Sequence, residues 1–94
     1  MFKKIELNSN LVNYQTNKAV LIKMPRQKFK FWFPLKLVRF KGKNDYLIEL
    51  SIPDNFEFKL FRNGEGKHNF KEVVEEKTLT LNEFLKEIGY FDEE

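Results

Sequence analysis

Nine basic side chains fall within 26 positions: Lys18, Lys23, Arg26, Lys28, Lys30, Lys36, Arg39, Lys41 and Lys43. The one tryptophan, Trp32, stands among them. Cations neutralise phosphates, and an aromatic plane beside them offers a stacking platform for a base. The densest part, residues 28–43, reads KFKFWFPLKLVRFKGK. A strand sends alternate side chains to opposite faces. Phe29, Phe31, Phe33, Leu35 and Leu37 then share a core face, and Lys28, Lys30, Trp32, Lys36, Val38 and Phe40 share the other. The second face offers what a nucleic-acid-binding sheet uses, and the expectation is a binder directed at single strands or at the backbone. Its expected contacts are Lys23, Arg26, Lys28, Lys30, Trp32, Lys36, Arg39 and Lys41, with Phe40 and Phe61 as further outward rings. The competing reading makes Trp32 a core residue, as tryptophan is highly buried on average, and the lysines solubilising charges. The logic is shared with OB-like and RRM-like binders, but the chain contains no RNP1 pattern and no helix-turn-helix.

Other chemistries find little material. There is one histidine, His68, just after a Gly-containing turn, and no cysteine. Disulfides, thiol chemistry and the common structural zinc sites are thereby excluded. Glu72, Glu75 and Glu76 lack the spacing of a calcium loop. Gly64 and Gly66 belong to NGEG, a turn without the strand–loop–helix context of a phosphate-binding loop. The two serines, Ser9 and Ser51, carry no nucleophile motif. The expectation is a non-enzymatic binding protein without metal, cofactor or small-molecule substrate.

Charge is divided along the chain. Residues 1–44 hold eleven basic side chains and one acid, Glu6; residues 45–94 hold six basic and thirteen acidic ones. Such asymmetry points to an electrostatic partner. Alternatively, basic strands pair with acidic strands and the charges cancel across a sheet. It also supports a second class of function, a protein-binding inhibitor or adaptor. A phage or mobile-element protein acting on a host nucleic-acid-processing enzyme fits this size and composition, with the acidic half (Glu72, Glu75, Glu76, Glu83, Glu87 and residues 92–94) as a nucleic-acid mimic. The opening MFKKIELNSN lacks the apolar stretch of a signal peptide, and no apolar run reaches the ~20 residues of a membrane span. A cytoplasmic protein with no membrane partner is the expectation.

The elements that must position these residues read as one α+β domain over residues 1–94. A mainly antiparallel, twisted sheet of about five strands packs against one C-terminal helix, with room to curl into a barrel. Residues 1–17 read as a short strand or arm followed by a loop, because Asn, Ser, Thr and Gln favour turns. Lys18–Met24 is a strand ended by Pro25. Pro34 splits the basic stretch into strands 28–33 and 35–40, or leaves a short helical turn after FWFP. GKND (42–45), PDN (53–55) and NGEG (63–66) are turns. They separate strands 45–52 and 56–62 from a returning strand over 67–78. Thr80-Leu81-Asn82-Glu83 is a capping box, and Leu81, Phe84, Leu85 and Ile88 form one apolar stripe ahead of Gly89. The expected core is Phe31, Phe33, Ile48, Leu50, Phe58, Phe84, Leu85 and Ile88.

Overall fold

The computed structural model describes residues 2–25, 27–66, 68 and 70–89. Eight strands precede one helix: Phe2–Asn8 (β1), Val12–Gln15 (β2), Ala19–Lys23 (β3), Lys30–Pro34 (β4), Val38–Lys41 (β5), Leu47–Pro53 (β6), Phe58–Asn63 (β7), Val73–Leu79 (β8) and Leu81–Glu87 (α1). The class is α+β and the pairing antiparallel, as the alternation predicts. The strands form two sheets, however, in the orders β1-β6-β5 and β2-β3-β4-β7-β8. Neither sheet closes, so two open layers replace the single sheet and the barrel.

Period-two patterning explains the layers. Ile48, Leu50 and Ile52 on β6 are buried while Leu47, Glu49 and Ser51 alternate with them. Ile5 on β1 lies opposite Leu50. In the larger sheet Val20 pairs with Phe33 and Ile22 with Phe31, all four buried. The inner faces of both sheets contribute to one core, which Phe84 of α1 completes. Phe84 stacks on Phe58 at 3.8 Å between ring centroids, and Phe31 meets both rings edge-on at 5.3 Å. Each such side chain removed from water contributes about 1.5–3 kcal/mol. Of the expected core, only Leu85 and Ile88 are half-buried, packed at its margin.

Pro34 decides the fate of the basic stretch. It ends β4, a 3-10 turn follows at Leu35–Leu37, and the chain re-emerges as β5 in the other sheet. Both readings are realised in part: the helical turn follows FWFP, and a second strand forms after it at Val38–Lys41. The GKND turn needs its glycine: Gly42 has φ +83°, and a Cβ there would collide with the ring of Tyr46. The capping box is formed, with Glu83 N–H donating to Thr80 Oγ1 at 3.3 Å and Thr80 N–H donating to Glu83 Oε1 at 2.8 Å. No helix among the described residues is long and apolar enough to cross a membrane.

One polar tie fastens α1 to the loop between β3 and β4. Gln27 Nε2 donates to Glu87 Oε1 at 2.9 Å, and Lys77 Nζ reaches the same oxygen at 3.4 Å. These contacts, Gln27's first, hold the Glu87 carboxyl below its ordinary value of 4.5. A depressed carboxyl stabilises the fold fully above its unfolded pKa, and that contribution is lost as pH falls through the folded one. Glu87→Gln is therefore expected to lower the urea midpoint at neutral pH and to converge with the parent protein in acid below that window. Parallel pH curves for the two proteins would reject the tie.

Candidate nucleic-acid interface

The outer face of the five-stranded sheet carries Trp32. Its neighbours on β4, Phe31 and Phe33, point into the core, so strand alternation turns the indole outward, where it is 44% exposed. That places Trp32 on the surface rather than in the core. Tyr14 of β2 meets it edge-on, with centroids 6.5 Å apart and planes at 88°. Lys23 and Lys30 lie side by side in the β3–β4 register. Lys30 Nζ sits 5.8 Å from the centroid of the Phe61 ring on β7.

The sheet loosens beside the indole. The β3–β4 ladder registers five pairs, whereas β4–β7 registers only Lys30↔Phe61. Beyond that pair a groove of about 520 Å³ opens between the two segments, walled by Trp32, Pro34, Phe56 and Phe61, with Lys18, Glu57 and Lys59 on its lining. A second groove of about 460 Å³ shares Trp32, Lys59 and Phe61 and extends over β8 to Val73, Glu76 and Thr78. A third hollow, of about 480 Å³, joins Lys18 and Pro34 to Lys36. Lys18, Lys36 and Lys59 make no ion pair among the described residues. The surface thus offers stacking rings and cationic groups around hollows that share lining residues. Among the described residues no cluster of His, Cys, Asp and Glu could hold a metal ion.

The structure divides the residues expected at this site. Lys23, Lys30 and Trp32 are together on the outer face, and Lys36 stands at its margin. Lys23 Nζ also donates to the Met24 carbonyl at 3.3 Å. Lys28 precedes β4 and pairs with Glu65 at 2.7 Å. Arg39 and Lys41 belong to β5 in the other sheet. There Arg39 stands opposite Glu49 in the register. Lys41 Nζ reaches Glu6 at 2.6 Å and Glu49 at 3.4 Å. Those hydrogen bonds, Glu6's first, raise the Lys41 pKa above its ordinary value. On this sheet basic β5 runs beside β6, whose Glu49 faces Arg39 and reaches Lys41. Phe40, expected to stack outward beside Trp32, is on β5 opposite Ile48. Arg26 lies outside the described residues.

No protein-family model, curated protein or solved structure matches this chain. The site therefore rests on its own geometry. Sequence reading missed Tyr14, because the polar run around it reads as a loop and an exposed edge strand needs no alternation. It also omitted Lys18 and Lys59 from the site. Lys59 had a signal, the outward parity it shares with Phe61 in FEFKLFR.

Proposed function

We propose that this protein binds single-stranded nucleic acid on the outer face of its five-stranded sheet, without catalysing a reaction. The observation that carries the reading is the exposed indole of Trp32, set against Tyr14 and flanked by Lys18, Lys23, Lys30, Lys36 and Lys59. Unpaired bases present a π-face that such rings stack on, and lysines on both sides follow the phosphates. A duplex hides its base faces, so the rings favour single strands.

Fluorescence anisotropy of labelled single strands and duplexes tests this. Four phosphate contacts on a single strand give a slope of log K against log salt of about −3. The expected result is single-strand binding with that slope, tighter than duplex binding, accompanied by quenching of the single tryptophan. A slope near zero, or binding that leaves Trp32 fluorescence unchanged, would reject the face.

A second reading draws on β8. This edge strand leaves Val73 and Val74 exposed beside Glu75 and Glu76, next to an exposed Phe70. An uncovered edge can accept a strand from a partner protein, which fits an inhibitor or adaptor. Absence of nucleic-acid binding at low salt would favour it.

A further inference from the structure

Glu57 contradicts the charge of the surface it sits on. It is exposed, makes no ion pair among the described residues, and lines the groove between β4 and β7 beside Lys18 and Lys59. A carboxylate there repels phosphate, so backbone binding gives it no role. We propose that this groove is a slot for one unpaired base bearing an exocyclic amine, with Glu57 as the group that reads it. The inference rests on the single-strand reading above and deepens it.

The walls suit a base. Trp32, Phe56 and Pro34 present apolar surface to a flat ring, and the space exists because β4 and β7 register only one pair. The charges suit its flanks, since Lys18 and Lys59 can take the neighbouring phosphates while the ring goes between them. The remaining polar group sets the preference. An ionised carboxylate only accepts hydrogen bonds. Cytosine, adenine and guanine offer exocyclic N–H donors, and an acidic side chain accepting from cytosine N4 is a recurrent pairing. Thymine and uracil present a carbonyl at that position, which would face the carboxylate oxygen to oxygen. With no ion pair to break, Glu57 is free to turn toward the base.

Oligo(dC) and oligo(dT) of equal length separate this from simple stacking, because both bases are pyrimidines of similar area. Anisotropy at neutral pH and low salt is expected to show oligo(dC) binding about fivefold tighter in the parent protein, the low end for one such contact. In Glu57→Ala the ratio should fall to about one, because oligo(dT) gains from the loss of an anion while oligo(dC) also loses its hydrogen bond. Glu57→Gln, whose amide can also donate, should lower the ratio too. A ratio near one in the parent protein, or a preference that survives in a folded Glu57→Ala, overturns the slot. If both strands still bind, single-strand recognition stands without it. If neither strand binds, the slot and the single-strand reading fall together.

Discussion

Trp32→Ala is expected to weaken single-strand binding by about tenfold or more, as stacking of one base contributes about 1–3 kcal/mol. The loss should be accompanied by little change in stability. The indole is half outside the fold, and its partners Tyr14 and Leu21 keep their own strands, so the urea midpoint should move far less than for a core ring. Arg39→Ala is the matched control. It removes a full charge from the other sheet and should leave single-strand affinity unchanged at a given salt concentration. Equal losses from the two substitutions would mean that the ligand also contacts the sheet that carries Arg39, and would reject a single binding face.

Phe58→Ala should do the reverse. Phe58 is fully buried and touches Phe31, Phe33, Phe56 and Phe84, the last in a parallel stack. Truncating a buried phenylalanine costs about 3–5 kcal/mol, the transfer of the ring plus the cavity it leaves. Domains of this size have about 5–15 kcal/mol in total, so urea denaturation should show a large fall in midpoint or an unfolded population without denaturant. A loss below about 1 kcal/mol would mean that the cluster of rings can collapse around the vacancy.

These two substitutions also mark which parts of the molecule can be read from its residues. Phe58 and Trp32 each follow from alternation within one strand, a rule that needs no knowledge of the partner. The helix follows from Thr80 and Glu83, whose reciprocal bonds close within one turn. What could not be read is which sheet a strand joins. KFKFWFPLKLVRFKGK looks like one basic face because its charges are contiguous in the chain. The turn after Pro34 then carries Arg39 and Lys41 to a different layer, where Glu6, far away in sequence, meets Lys41. That pairing is a long-range event with no local signature. Tyr14 was hidden for a different reason: an edge strand open to solvent tolerates Asn, Gln and Thr, so its composition resembles that of a loop.

The pairing of β1 with β6 carries a consequence in time. Phe2 lies opposite Pro53 and Asn8 opposite Leu47, so β1 has no partner until β6 has been made. Closing so long a loop costs entropy before any contact rewards it, and domains dominated by such contacts fold in milliseconds to seconds rather than microseconds. The hairpins of the larger sheet, β2–β3, β3–β4 and β7–β8, join neighbours in sequence and can assemble early. On a ribosome, the surface around Tyr14 and Trp32 can take shape while β1 is still waiting for β6.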